Sequence, residues 1–272
     1  MRSSLGLRLR SRLGAFNNLD LTEQIQQRKM QLKRLGIIIP VYNERDNIGT
    51  TLTRVEKDIK EPHKIYIVYD MDDDNSLPVA RTYAEQGMDI FFVKNEIGGV
   101  VNALKKGLRI ATEEFLLVVM ADMSDDLAVV DKMISKMDQG YDLICGSRYM
   151  PGGRQIGGPI LKKTLSRLAG LSLKYLTGLP TSDVTNSFKL YRKKIIDSFE
   201  LESNGGFEIG MELVIKAHFA GFRVTEAPSI WADRQEGQSR FRILKWAPNY
   251  LKWYFLAIKN YIRNLFGFSV QK

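Results

Sequence analysis

Leu116 to Leu127, reading LLVVMADMSDDL, constrains this chain more than any other stretch. Apolar residues without polar alternation form a strand covered on both faces, as in a parallel sheet. That strand runs straight into Asp122, Asp125 and Asp126. The carboxylates therefore fall where a buried strand leaves its sheet, the edge at which open α/β sheets bind ligands. For Asp125 and Asp126 a simpler role is helix-start residues for the apolar face Leu127, Val130, Ile134 and Met137.

Other segments extend the pattern in both directions. LGIIIPV from Leu35, Lys64 to Tyr69, Ile90 to Val93 and Tyr141 to Cys145 read as short strands. Between them lie helical periodicities. Ile48, Leu52, Val55 and Ile59 share one face; a second helix carries Pro78 in its first turn and closes at Gly87; a third opens at Gly98-Gly99 and continues through Ala103, Leu104, Leu108 and Ala111. Such alternation predicts right-handed β-α-β units in an α/β, Rossmann-like, mostly parallel sheet with helices on both faces. After Gly146 the pattern loosens into a Gly/Pro-rich loop, a basic helix over Leu161 to Leu176, a strand at Phe188 to Tyr191, a helix over Phe207 to Ala220 and an extended segment at Val224 to Trp231. Glu208 and Glu212, at i,i+4 spacing, read as a solvated helix face.

The titratable residues exclude several chemistries. With one cysteine, Cys145 in the apolar run YDLIC, no internal disulfide is possible, and a buried thiol is expected. With His63 and His218 as the only histidines, a histidine-rich metal site is excluded. A second acidic cluster, Asp70, Asp72, Asp73, Asp74 and Asn75, follows another predicted strand. It matches the first ligand positions of an EF-hand, but Asn75 replaces the turn glycine and Arg81 the bidentate glutamate, so that reading fails. There is no Walker-type phosphate loop, and Gly98-Gly99 does not make a dinucleotide fingerprint. An acidic strand edge without a glycine-rich phosphate cradle implies a divalent cation, held by carboxylate, bridging the phosphates of a nucleotide.

Taken together, PVYNE at 40–44, the acidic strand end at Asp70, ADMSDD at 121–126, GSRYMPGG at 146–153, NSFKLYR at 186–192 and DRQEGQSRF at 233–241 resemble the inverting family 2 glycosyltransferases. Their order and spacing are most similar to the dolichyl-phosphate mannosyltransferase and polyprenyl-phosphate glycosyltransferase branch, over roughly residues 35–245. The resemblance implies a GT-A fold, a nucleotide-sugar donor, a polyprenyl phosphate acceptor and Mg²⁺ or Mn²⁺. It would assign Pro40, Tyr42, Glu44, Val68, Asp70 and Ala121 to the donor, Asp122 and Ser124 to the metal, and Arg148 with Ser147 to the acceptor phosphate. Arg234 and Arg240 would contact the donor diphosphate, and Asp122, Arg148 and Arg234 would carry catalysis. Two departures stand out: Met120 occupies the first position of the family's Asp-x-Asp, and Asp70-Met-Asp-Asp-Asp-Asn-Ser replaces its usual Asp-Asp-Gly-Ser. A thioether is a poor ligand for a hard cation, so Met120 shifts the metal onto Asp122.

With a polyprenyl phosphate acceptor the attacking oxygen is already anionic and no general base is needed. A saccharide or other hydroxyl acceptor would require one, for which Asp125, Asp126, Asp183 and Glu208 are the candidates. A third reading is a non-catalytic, membrane-associated nucleotide-sugar-binding module.

The net charge of +9 is unevenly spread. Residues 1–34 carry eight Lys/Arg against two acids and residues 240–272 carry seven against none, which leaves the segment between at −4. Net positive charge confined to the ends suits an anionic membrane surface and not a nucleic-acid groove. The expected organisation is a basic extension over 1–34, a catalytic domain over 35–240 and a basic amphipathic segment over 241–272. Within that last segment Lys252, Lys259 and Arg263 share one helical stripe, while Trp246, Tyr250, Trp253, Ala257 and Tyr261 cluster opposite. Such a helix lies in the headgroup layer, though the same stripe would serve packing on the domain's own core. No run of 18 apolar residues exists, so the expectation is a peripheral protein on the cytoplasmic face of a membrane, without a span.

Overall fold

The computed structural model describes residues 33–233 and 243–266. Its first half is a β-α-β stack. Strands β1 (Leu35–Val41), β2 (His63–Tyr69), β3 (Ile90–Lys94) and β4 (Phe115–Val118) are joined by helices α1 (Arg45–Asp58), α2 (Ser76–Glu85) and α3 (Val100–Ile110). All four strands run parallel, in the order β3-β2-β1-β4. β-branched residues fill β1 and β2 because each strand is covered on both faces. Ile38, Val68, Leu116 and Val118 point into one core layer, whereas Ile37, Ile39, Ile67 and Leu117 point into the other. Gly107 lets α3 lie close to the sheet: a Cβ there would meet Ile38 Cγ2 at 2.6 Å and Val68 Cγ2 at 3.0 Å.

The second half contains α4 (Val130–Asp138), β5 (Leu143–Ser147), β6 (Arg154–Ile156), α5 (Ile160–Thr177), β7 (Lys189–Arg192), α6 (Lys193–Ser198), α7 (Ile209–Phe219), β8 (Val224–Pro228), β9 (Ile230–Ala232) and α8 (Ile243–Leu265). The full sheet reads β3-β2-β1-β4-β7-β5-β8. β7 is antiparallel to both its neighbours, while β5 and β8 are parallel. A small parallel pair, β6 and β9, folds over the cavity end of the sheet. The expected mostly parallel sheet with helices on both faces is therefore present, with one antiparallel strand inside it.

Two helices differ from expectation. α7 is buried on nearly all sides, and Glu208 and Glu212 are fully buried instead of solvated. Each carboxylate is satisfied by chain amides: Glu208 accepts from Gly205 N at 2.7 Å and Gly206 N at 2.6 Å, and Glu212 from Glu202 N at 2.7 Å and Ser203 N at 2.8 Å. Buried carboxylates of this kind close a loop onto a helix start. α8 packs on α5 and α7, with Trp253 and Ala257 fully inside the core. Its aromatic stripe thus covers the protein itself. The surface it leaves outward is also apolar, because Leu251, Phe255, Ile262 and Leu265 are exposed. No helix among the described residues is long and apolar enough to cross a membrane.

Candidate functional site

The carboxyl ends of β1, β2 and β4 open onto a cavity of about 1300 Å³, whose far wall is made by α5 and α8. Strand polarity puts the ends of the apolar runs there, so the polar residues that follow each run meet at one edge. Pro40 at the end of β1, Tyr42 and Glu44 after it, Asp70 after β2, and Ala121, Asp122 and Ser124 after β4 all line it, as does Arg148 after β5. Two expected residues do not. Val68 is fully buried beneath α3, and Ser147 is fully buried one residue behind Arg148, its Oγ without a hydrogen bond. Arg234 and Arg240 lie outside the described residues.

The acidic loop after β2 is a clamp. Asp74, itself buried, accepts from Asn43 N at 3.0 Å and from Ser76 N at 2.8 Å. Ser76 Oγ accepts from Glu44 N at 2.8 Å, and Asn75 Oδ1 from Arg45 N at 3.1 Å. The PVYNE turn, whose Asn43 has φ 55°, is held open by these bonds. Asp72 pairs with exposed Lys94. Only Asp70 of the cluster lines the cavity, and it is fixed at both oxygens by Asn95 Nδ2 at 2.7 Å and Gly99 N at 2.7 Å. Crowded carboxylates here are compensated by backbone amides, by Asn95 at Asp70 and by Lys94 at Asp72.

The loop after β4 is fastened from α1. Thr51 Oγ1 donates to Ala121 O at 2.9 Å, and Arg54 grips Met123 O at 2.9 Å and Asp125 O at 2.8 Å, around a left-handed Met123. Asp125 does not start the next helix; its carboxylate turns back to accept Met120 N at 2.9 Å. Asp126 does stand at the start of the 3-10 turn Leu127–Val129 that leads into α4, but without a side-chain cap, its carboxylate accepting Ile230 N at 3.2 Å instead; the helix-start position therefore holds for Asp126 and fails for Asp125. Asp125 is buried in the cavity wall. Burial, reinforced by the charge of Asp122, pushes its carboxyl up to about 7 against the Met120 amide and the more distant Arg54 and Arg148. For a divalent cation the test is the donor set. Among the described residues no three His, Cys, Asp or Glu side chains form a ligand cluster. Mg²⁺, however, is commonly held by one or two carboxylates with waters and substrate phosphates completing the shell. Asp122, with Ser124 and the electrostatically coupled Asp125 beside it, fits an ion of that kind.

On the opposite side stands Arg148. Its Nε and Nη2 grip both oxygens of Asp183 at 2.6 and 2.8 Å, and its backbone N adds a third bond at 3.0 Å. Nη2 also reaches Ser166 Oγ of α5 at 3.0 Å, and Nη1 takes no part in this network. Burial works against both charges, yet Arg148 holds the Asp183 carboxyl below the usual carboxylate range and Asp183 keeps the guanidinium protonated. Lys189, fully buried behind the same loop, donates to Val184 O at 3.2 Å and to Asn186 O. Burial lowers its ammonium from the ordinary value. Cys145 is buried, its thiol pushed up to about 11 by burial.

Sequence reasoning named Asp183 and Glu208 as bases, but both carboxylates are consumed by structural bonds. It missed the contribution of α5, whose Lys162, Leu165, Ser166, Leu168, Ala169 and Ser172 line the cavity. Apolar residues on too many faces of that helix were the available signal. Ile160, Leu161, Leu165, Leu168, Tyr175 and Leu176 are all exposed.

Comparisons with known proteins agree with this geometry. The model of the family described as Glycosyl transferase family 2 matches residues 36–199. A dolichol-phosphate mannosyltransferase of Pyrococcus furiosus is 26% identical over 231 residues, covering 78% of this chain and 64% of the relative. The chain thus spans about two thirds of that protein's length. A polyprenol monophosphomannose synthase of Mycolicibacterium smegmatis is 27% identical over 220 residues, 76% of this chain and 81% of the relative. Among solved structures, glucosyl-3-phosphoglycerate synthase from Mycobacterium tuberculosis with phosphoglyceric acid superposes with a TM-score of 0.62 at 12% identity, covering 84% of this chain and 80% of that one. S. aureus TarS with UDP gives 0.56 at 16% identity, covering 84% and 66%.

Proposed function

We propose that this chain, which belongs to glycosyl transferase family 2, moves a sugar from a nucleotide-diphosphate sugar to a polyprenyl phosphate, inverting the anomeric carbon. One observation carries the reading. Arg148, a buried cation with a guanidinium nitrogen outside its own ion pair, stands between the carboxylate end of the cavity and an apolar wall from α5 and α8. An amphiphile with an anionic head and an apolar chain matches that arrangement. The names of the two relatives support it.

Residues at the β1 and β2 ends, Pro40, Tyr42, Glu44 and Asp70, would receive the nucleoside, with Asp70 pre-oriented by Asn95 and Gly99. Asp122 and Ser124 would hold Mg²⁺ or Mn²⁺, which when bound offsets charge on the departing diphosphate. Arg148 would orient the acceptor phosphate through its unused nitrogen. An anionic phosphate oxygen then forms its bond to the anomeric carbon as the bond to the diphosphate breaks on the opposite face. No proton has to move. This fits a site in which, of the four carboxylates considered as bases, only buried Asp125 both lines the cavity and stays outside the Arg148 pair. Arg234 and Arg240, which lie outside the described residues, would be the groups to contact the leaving diphosphate.

The partner surface is a membrane carrying anionic lipid. Exposed Leu161, Leu165 and Leu168 of α5 and Leu251, Phe255 and Ile262 of α8 are flanked by Lys163, Arg167, Lys252, Lys259 and Arg263, and the apolar wall of the cavity merges with them. The test is transfer of radiolabel from a panel of UDP- and GDP-sugars to undecaprenyl or dolichyl phosphate, with and without Mn²⁺. Metal-dependent, Asp122-dependent labelling of the lipid phosphate is expected. Labelling of a saccharide without lipid phosphate, or none from any donor, overturns the reading.

A further inference from the structure

Along α5 and α8 the residues that line the cavity stop at the same level. On α5 the last is Ser172 and on α8 the last is Tyr254. These two are bonded to each other: Tyr254 Oη donates to Ser172 Oγ at 3.0 Å, and Ser172 Oγ in turn donates to Leu168 O at 2.6 Å. The phenol therefore bridges the two helices at the end of the apolar wall. Nearer the start of α5, and with Lys162 and Leu165 lining the cavity beyond it, Ser166 touches the Arg148 guanidinium. From Ser166 to Ser172 is six residues of helix, or ~9 Å at 1.5 Å per residue. Between these ends the walls are Leu168 and Ala169 on one side and Tyr250 and Leu251 on the other.

We propose that the Tyr254–Ser172 pair is a specificity determinant that bounds the apolar groove of the acceptor site, so that the protein grips only the first isoprenoid units next to the phosphate. This rests on the polyprenyl phosphate reading above and adds to it a measurable reach. An apolar-walled groove with a cation near one end and the Tyr254–Ser172 bridge at the other reads the head and the adjoining stem of an amphiphile. The remainder of the chain leaves over the exposed surface of α5 and α8, where Leu176 and Phe255 are open to the surroundings. Affinity then rises with chain length only until the slot is filled. Each buried methylene is worth ~0.8 kcal/mol, about a fourfold change in affinity, so the rise should be steep and its end sharp.

The probe is a series of dimethylallyl, geranyl, farnesyl and geranylgeranyl phosphates, each kept below its aggregation concentration, with binding to the whole chain measured by equilibrium dialysis without donor or vesicles. Wild-type affinity is expected to rise ~10-fold or more from dimethylallyl to geranyl phosphate and to level off for the longer chains. Tyr254→Ala removes the bridge and is expected to move that plateau to a longer chain; Ser172→Ala, which removes the bond and preserves the helix, moves it in the same direction by less. Thermal melts of both variants verify that they are folded. A wild-type profile with no plateau, or one that stays in place in both folded variants, overturns the inference while leaving the proposed function standing. Failure of all four phosphates to bind, together with no transfer to undecaprenyl phosphate, overturns both.

Discussion

At the scale of single residues the site depends on buried charges whose partners come from far along the chain. Arg148 and Asp183 are 35 positions apart. Removing one member of such a pair strands the other, at a cost of ~3–5 kcal/mol, so Asp183→Ala should melt well below wild type. Arg148→Lys retains the charge and loses the two-pronged grip. It is expected to lower kcat/KM for the lipid phosphate ~100-fold while nucleotide affinity by calorimetry stays unchanged; an equal loss in both would show that Arg148 is not an acceptor residue. Asp125 gives a pH forecast. Its folded carboxyl titrates near 7 against an ordinary 3.8, so between about pH 4 and 7 the folded chain binds more protons than the unfolded one. Its contribution is therefore most favourable below that window and is lost as pH rises through it. Asp125→Asn should flatten the decline in Tm from pH 4.5 to 8 in metal-free buffer, and an unaltered slope would refute the assignment. The strand-end residues themselves were legible in the sequence, because an apolar run that stops at a carboxylate marks a sheet edge. What fastens them was not, since Asn95 for Asp70, Arg54 for the Asp122 loop and Asp183 for Arg148 are set by the tertiary fold.

At the scale of elements, α5 is the piece that joins the acceptor side together. Gly170 lies so close to the loop after it that an added Cβ would meet Ser182 O at 2.1 Å. Gly170→Ala should push the helix off that loop, costing ~1–3 kcal/mol and carrying Ser166 away from Arg148. The expected result is a Tm lowered by several degrees with a raised KM for lipid phosphate; an unchanged Tm would mean that the loop yields freely. Periodicity located α8 and sorted its faces correctly, but a face is a relation among residues of one helix. It does not say what covers it, and Trp253 and Ala257 turned out to face the protein. Glu208 and Glu212 misled for the reverse reason: charge suggested water, whereas chain amides supply what water would.

At the scale of the whole molecule, the apolar surface shared by α5 and α8 predicts attachment to anionic vesicles. Leu161 and Phe255 are exposed and lie outside the cavity lining. The double variant Leu161→Asp/Phe255→Asp should lose co-flotation with phosphatidylglycerol vesicles ~10-fold or more while retaining its melting temperature, and added salt should weaken the wild type. Co-flotation equal to wild type would remove the membrane from the proposal. The β-α-β half of the architecture was readable from alternation alone. The antiparallel course of β7 was not, because a strand of four residues, Lys189–Arg192, carries no sequence signal of its direction. That one reversed strand also orders events in time. β5 finds its sheet partners only in β7 and β8, and β7 begins about 40 residues after β5 ends. On a ribosome adding ~5–20 residues per second, the half built on β1 to β4 is complete for some seconds before its outer edge acquires a neighbour. During that interval the β4 edge is where a nascent chain is open to aggregation and where a chaperone has the most to protect.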